Sequence, residues 1–274
     1  MALFQELAPN LGFDPGVSPA WFMVPLGAAN TCKLVGGAGM TVTSVDATVA
    51  KVVELPMAQS LPIRLIVVQG VKKGTTFLEA KRGSTLVERL EVSVKAKKTV
   101  RIGFNFVSDT GGHKTKRTRA EIPGYVDVMN SIFKPQVNIE VKAHSIRDVK
   151  VPRNLRQVVR FSKHLVGVAE RQHEWDAVVA LRDSSADFNV FFVWEYEQDM
   201  TPHDDHTDAG TLDGNCIFED QAGAEVGETL AHETGHFLGC ADVYAGGLIK
   251  NLMYGITDAR GRRIPKSDAN VMNP

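Results

Sequence analysis

Cysteine is nearly missing from this chain: three residues in 274, Cys32, Cys216 and Cys240. They are too few and too scattered for a disulfide framework, and their spacing matches no Cys-rich zinc site. Two readings stay open for them, buried idle thiols or one bridge between Cys216 and Cys240. Long apolar runs are missing as well, since no stretch approaches the roughly 20 residues of a membrane helix. Nor is there an excess of one charge: 31 Lys and Arg stand against 32 Asp and Glu, for a net charge of -1. A dedicated nucleic-acid binder carries a basic surplus, so that class is excluded. The opening residues, MALFQELAPNLGFDPG, lack the basic segment and apolar run of a secretory signal. A cytoplasmic chain, one exported by a route that reads no such signal, and one whose signal was trimmed all fit.

What is present suffices for a folded protein. The 43% hydrophobic and 23% charged composition is ordinary for globular chains, and the length allows two modest domains or one large one. Residues 1–97 read as all-β. Short runs rich in Val, Ile, Leu and Thr recur at 40–45, 49–55, 63–69, 75–80 and 86–94, separated by Gly, Pro and Lys-Gly punctuation. Leu90-Glu91-Val92-Ser93-Val94-Lys95 alternates as a half-buried antiparallel strand does. Strands at this spacing predict a small β-sandwich preceded by an N-terminal extension.

A polar hinge at 95–98 ends that pattern. Strands follow at 100–107 and 137–143, with a helix at 122–133 that stops before Pro135. Residues 155–181 read as mostly helical with possible breaks, 189–194 as an apolar strand, 216–218 as a short strand and 224–238 as a helix. This mixture predicts an α/β domain over 98–274.

On the last of those helices stands His232-Glu233-Thr234-Gly235-His236. Two histidines four apart project from one helix face, so both imidazoles reach one ion. Glu233 is angled away from ligation and is placed to take a proton from an activated water, then to pass it to a leaving amine. In a chain with 8 histidines such a pentapeptide arises by chance at odds of roughly 1%. Gly239, three residues on, suits a left-handed residue that ends the helix and turns the chain back. Asp242 follows where a third ligand is needed.

The stretch His232-Glu233-Thr234-Gly235-His236-Phe237-Leu238-Gly239-Cys240-Ala241-Asp242 resembles the long zinc motif of the metzincin proteases. Most members present a third histidine; Asp242 in its place is similar to the snapalysin-type variant. Asn251-Leu252-Met253-Tyr254-Gly255 resembles the family's Met-turn, whose methionine floors the metal; Asn270-Val271-Met272-Asn273-Pro274 is a second candidate. Some members carry an oxyanion-stabilising tyrosine two residues after that methionine. Tyr254 is one residue short of that spacing, and for it and Tyr244 packing is the expectation. The resemblance implies a zinc metalloendopeptidase acting on proteins or peptides, with Zn2+ on His232, His236 and Asp242, Glu233 as base and acid, and Met253 and Gly239 supporting the site. Residues 43–50 and 70–78 resemble bacterial immunoglobulin-like modules, which implies a role for the N-terminal segment in binding a partner, spacing or export, as in a delivered effector. The rival readings are a zinc hydrolase of a non-protein substrate and a binding protein with an inactive metal site.

Charge is unevenly spread. Between Asp199 and Asp242 lie 11 of the 32 acidic residues and none of the 31 basic ones. Two outcomes are open: a cleft rim that attracts basic peptides, or a structural Ca2+ on some of Asp204, Asp205, Asp208 and Asp213. His203-Asp204-Asp205-His206 reads as a solvated acidic loop rather than a second metal site. Lys114–Arg119 reads as an exposed basic loop, and Phe191, Phe192 and Trp194 as core strand residues.

Overall fold

The computed structural model describes residues 4–53, 61–160, 169–197, 209–221, 225–256 and 260–274. In chain order these hold β1 (Phe4–Glu6), β2 (Phe13–Asp14), β3 (Ala20–Pro25), β4 (Ala29–Val35), β5 (Thr41–Ser44), β6 (Ala50–Val53), β7 (Ile63–Gly70), β8 (Gly74–Arg82), β9 (Thr85–Lys95) and β10 (Lys98–Ser108). Then come α1 (Ile122–Val137), β11 (Ile139–Lys150), β12 (Val159–Arg160), α2 (Ala169–Val179), β13 (Phe188–Val193) and β14 (Tyr196–Glu197). The last are β15 (Ala209–Leu212), β16 (Asn215–Glu219), α3 (Val226–Phe237) and α4 (Lys266–Met272). None of these helices is long and apolar enough to cross a membrane.

The chain divides into two units. One comprises Met1–Lys98, Ser131–Glu140 and Gly261–Pro274; the other comprises Thr99–Asn130 and Val141–Arg260. The first segment ends at Lys98, and two later segments return to the same unit. Polar ties explain the return. Asp14 accepts the Lys266 N–H at 2.9 Å and pairs with Arg263, while Lys266 Nζ reaches Glu91 at 2.7 Å. The Gln136 side chain donates to the Arg262 carbonyl and accepts the Ile264 N–H, both at 2.8 Å. A fragment starting at residue 98 therefore strands 261–274 without Asp14 and Glu91. Periodicity reveals where a pattern changes, not where the chain comes back.

In the first unit two sheets, ordered β1-β4-β7-β6 and β2-β3-β9-β8-β5, turn one face each into a shared apolar core. The alternation in β7 is clean: Arg64, Ile66 and Val68 are buried while Ile63 and Leu65 face out. The five runs predicted here match β5 to β9, although residues 54–55 lie outside the described residues. The strands before residue 40 are additional. In β3, Trp21, Phe22, Met23 and Val24 are all buried, so no alternation marks it, and it pairs in parallel with β9.

The second unit is built on a five-stranded sheet ordered β11-β10-β13-β16-β15. The β10–β13 and β13–β16 pairs are parallel, and β15 joins β16 antiparallel at the end of the sheet. The turn between β15 and β16 is Asp213-Gly214, with φ of 51° and 74°. Two successive positive φ values suit an Asp-Gly hairpin, a signal that finds β15 from sequence. Phe192 packs on Phe104, Phe106 and Phe218, and Phe188 stacks on Phe237 at 4.9 Å, seating α3 on the sheet. A Cβ on Gly227 would lie 2.6 Å from Val128, so glycine there lets α3 approach α1.

Two expectations need correction. The helix over 122–133 does not stop before Pro135; α1 runs to Val137 with Pro135 inside it, and Asn138, at φ 53°, ends it. A proline this close to the C-terminus removes only one late hydrogen bond. Residues 155–181 hold less helix than expected: Leu155, Val158 and Val159 are buried, Val159–Arg160 is a strand (β12) paired with β14, and α2 covers Ala169–Val179; 161–168 lie outside the described residues. Lys114–Arg119 is largely an exposed loop as expected, though it is tied down in its middle. Arg117 sits over the Phe218 ring at 5.1 Å and donates to the Glu219 carbonyl, and Asp220 accepts the Lys116 N–H at 2.7 Å. Phe191 and Phe192 are core residues as expected, whereas Trp194 is half-buried, stacked on His113 and bonded to the Arg156 carbonyl.

Candidate metal centre

α3 is buried on nearly every side: nine of its residues, including His232 and Glu233, are buried. A helix so placed ordinarily carries apolar side chains all round. Burying two imidazoles and a carboxylate instead is costly unless each finds a partner. The helix ends at Leu238, and Gly239 has φ 99°. The Gly239 N–H bonds the His236 carbonyl at 2.9 Å and the Cys240 N–H bonds the Gly235 carbonyl at 3.0 Å. That pair is the Schellman arrangement, which needs a left-handed residue where Gly239 stands. It turns the chain so that the Cys240 carbonyl meets His236 and Asp242 comes back over the helix.

His232 and His236 bring their Nε2 atoms to 3.0 Å from each other, with ring planes at 87°. Asp242 Oδ1 completes a triangle, 3.1 Å from His232 Nε2 and 3.4 Å from His236 Nε2. A tetrahedral zinc with bonds of about 2.0–2.1 Å spaces its ligands about 3.3–3.4 Å apart, so the triangle fits such an ion.

The proton positions strengthen the fit. His232 Nδ1 lies 2.9 Å from the Leu252 carbonyl, and His236 Nδ1 lies 2.9 Å from the Cys240 carbonyl. A carbonyl only accepts, so each Nδ1 must carry the hydrogen and each neutral Nε2 is left with its lone pair. Two lone pairs and a carboxylate oxygen therefore converge. One proton serves a single edge of that triangle, whereas a cation serves all three. The same pressure shows in the acid–base balance. Burial works against the charged forms, but contact with both histidines holds the Asp242 carboxyl far below its usual range, and Asp242 and Glu233 push His236 upward.

Glu233 is 4% exposed, and its carboxylate lies within 4.8 Å of both imidazoles. Its Oε2 accepts a hydrogen bond from Thr211 Oγ1 at 2.6 Å. Thr211, on the strand at the sheet's end, carries no motif and is missed from sequence; the Asp213-Gly214 turn is the clue that places it. Met253 is fully buried, and its carbonyl accepts the Val243 N–H at 2.8 Å, next to Asp242. Since the neighbouring Leu252 carbonyl holds His232, the Leu252–Tyr254 turn is tied to two members of the triangle. Met272 is also buried but ends α4, in the other unit.

Tyr254 is buried, in keeping with packing. Tyr244 is 65% exposed, and its hydroxyl lies 3.3 Å from Asp242 Oδ2. A Cβ on Gly255 would lie 2.4 Å from the Tyr244 ring, so the glycine makes room for it. Cys32, Cys216 and Cys240 are buried free thiols, and the Cys216–Cys240 bridge does not form. Among the described residues, His232, Glu233 and His236 form a cluster whose ligand atoms lie close enough to hold a metal, and Asp242 lies against both histidines. His203, Asp204, Asp205, His206 and Asp208 lie outside the described residues, and Asp213 occupies the hairpin turn. The acidic stretch is not a continuous exposed rim, because Glu219 is buried and Asp220 holds Thr115 and Lys116.

No family model matches the chain, and no curated protein matches it. Among solved structures it is similar to parts of the S-layer protein SbsC. For domains 4 and 5 the identity is 24% over 26% of this chain and 45% of that one, at a TM-score of 0.24. For domains 5–6 it is 20% over 35% of this chain and 50% of that one, at a TM-score of 0.26. The match to domains 1–6 is 24% identical, with 28% of this chain and 12% of that one covered, at a TM-score of 0.26. The chain thus spans half or less of each of these three structures.

Proposed function

We infer that this protein is a zinc-dependent metalloendopeptidase of the metzincin kind with an aspartate as third ligand, its two-sheet first unit being an immunoglobulin-like module. The observation that carries the reading is the convergence of three lone-pair donors, His232 Nε2, His236 Nε2 and Asp242 Oδ1, beside a buried carboxylate that belongs to none of them. A structural zinc site is closed by its ligands and has no use for Glu233.

Zinc in the triangle supplies Lewis acidity toward water and toward a peptide carbonyl. The chain's own residues do the rest. Glu233 takes the proton of the attacking water and returns it to the leaving amine. The Leu252 and Cys240 carbonyls fix both imidazole tautomers, so neither histidine competes for that proton. β15 lies at the end of the sheet beside Glu233, and its backbone can hold an extended peptide in register with the base.

The test is metal analysis of the purified chain before and after chelation, beside hydrolysis of casein and of small esters and amides. One zinc per chain and chelator-sensitive casein cleavage are expected. Turnover of the small esters or amides alone favours a non-protein substrate. Zinc with no hydrolysis of any of them favours a binding protein.

A further inference from the structure

We propose that Thr211 is a positioning residue for Glu233, fixing one carboxylate oxygen so that the other alone exchanges protons with the reacting groups. This rests on the peptidase reading above and adds a residue to it.

The geometry is specific. Thr211 Oγ1 lies 2.6 Å from Glu233 Oε2 and 3.3 Å from the Glu233 carbonyl oxygen, so one hydroxyl touches both ends of the residue. A hydroxyl has a single proton, and the shorter contact to a charged acceptor takes it. A buried glutamate with three rotatable bonds can adopt several poses; this bond selects one.

The strand in turn fixes the hydroxyl. Thr211 pairs with Cys216 across the β15–β16 ladder, and the two-residue Asp213-Gly214 turn sets that register. A slip of one residue would turn Thr211 to the opposite face of the sheet. Its β-branched side chain is stiff at χ1, which holds the hydroxyl where the strand puts it. Cys216, its cross-strand partner, is wholly buried on the same face, leaving Thr211 little room to move. A misplacement near 1 Å at a reacting group costs up to about a hundredfold in rate, the scale on which such a bond matters.

Thr211→Val removes the hydroxyl and keeps the shape; Thr211→Ser keeps the hydroxyl and frees χ1. Both are compared with the full-length wild type for zinc content, for kinetics on a fluorogenic peptide, and for acetohydroxamate affinity of the zinc-loaded protein. A hydroxamate hands its proton to a neighbouring base, so it reports on Glu233 without turnover. The valine variant is expected to keep one zinc per chain and a KM within about twofold. It should lose about 10- to 100-fold in kcat and bind acetohydroxamate about tenfold more weakly. The serine variant should return to within a few fold of wild type. Wild-type kcat and hydroxamate affinity in Thr211→Val overturn the proposal. Zinc loss in that variant also overturns it, since the role would then be structural, as does a serine variant no better than valine. If the wild type binds zinc but cleaves no peptide, the peptidase reading fails alone and the hydroxamate comparison still decides for Thr211. A wild type that binds no zinc ends both.

Discussion

Two buried polar clusters in this chain obey opposite rules. In the first unit Arg64 is 1% exposed, and its guanidinium donates to the Met40 and Gly37 carbonyls at 2.6 and 3.2 Å. Here a donor meets acceptors that the fold itself supplies. In the second unit His232, His236 and Asp242 aim acceptor at acceptor within 3.4 Å. A buried polar group that completes itself belongs to the fold, whereas one that needs a guest belongs to function. That contrast carries more weight here than the HExxH string, which chance alone supplies in about one such chain in a hundred.

The contrast breaks most visibly at the proposed ligands. Asp242→Ala and His236→Ala are each expected to lower zinc affinity by more than the 10- to 100-fold typical of outer-shell changes, and to abolish hydrolysis. Competition with a chromophoric chelator measures this. Wild-type affinity in Asp242→Ala means the third ligand is another residue. Glu233→Gln should separate binding from chemistry: one zinc per chain retained, with kcat lower by about 10²- to 10⁴-fold. A variant that cleaves peptide at the wild-type rate takes the base role from Glu233.

The other side of the comparison is apolar. Phe22 is 1% exposed in the core shared by the two sheets of the first unit. Phe22→Ala should cost about 3–5 kcal/mol of stability, seen as a lower denaturant midpoint. The folded fraction should still bind one zinc per chain, because Phe22 supplies nothing to the triangle. A stoichiometric loss of zinc in folded Phe22→Ala would show that the two clusters are not independent.

Much of the site was legible because its chemistry is local. His232, Glu233 and His236 lie on one helix, and Gly239 and Asp242 follow within six residues of the second histidine. Helix periodicity and one left-handed glycine suffice to bring them together. Thr211 was not legible, since its contact with Glu233 spans 22 residues and depends on strand register. The strands over 63–95 alternate and were readable, whereas β3, buried on both faces, offers no period to detect. Pro135 misled because a proline rule for helix interiors was applied to a last turn. The return of 261–274 to the first unit depends on Asp14, Glu91, Lys95 and Gln136, each far away in sequence.

The smallest effect expected concerns that return. Lys95 is 2% exposed; its ammonium donates to Asn270 Oδ1 at 3.0 Å and to the Asn273 carbonyl, while Lys98 Nζ reaches the Met272 carbonyl at 2.8 Å. Both lysines thus serve the C-terminal end of α4, where positive charge is favourable. Burial nonetheless pushes the Lys95 pKa down from its ordinary 10.5 to about 8, and the charge of Lys73 adds to the shift. Between those two values the unfolded chain binds more protons at this site than the folded one, so this group makes stability rise with pH. The gain between pH 8 and 10.5 has an upper bound of about 3 kcal/mol, from 1.36 kcal/mol per pKa unit. The two hydrogen bonds hold the ammonium in place and reduce that figure. Lys95→Met removes the titrating group, so melting temperatures of wild type and variant should converge or cross in favour of wild type as pH climbs through this window. Melting curves that stay parallel from pH 7.5 to 10.5 would show that Lys95 keeps its proton in the fold, held by the α4 carbonyls more strongly than burial opposes it.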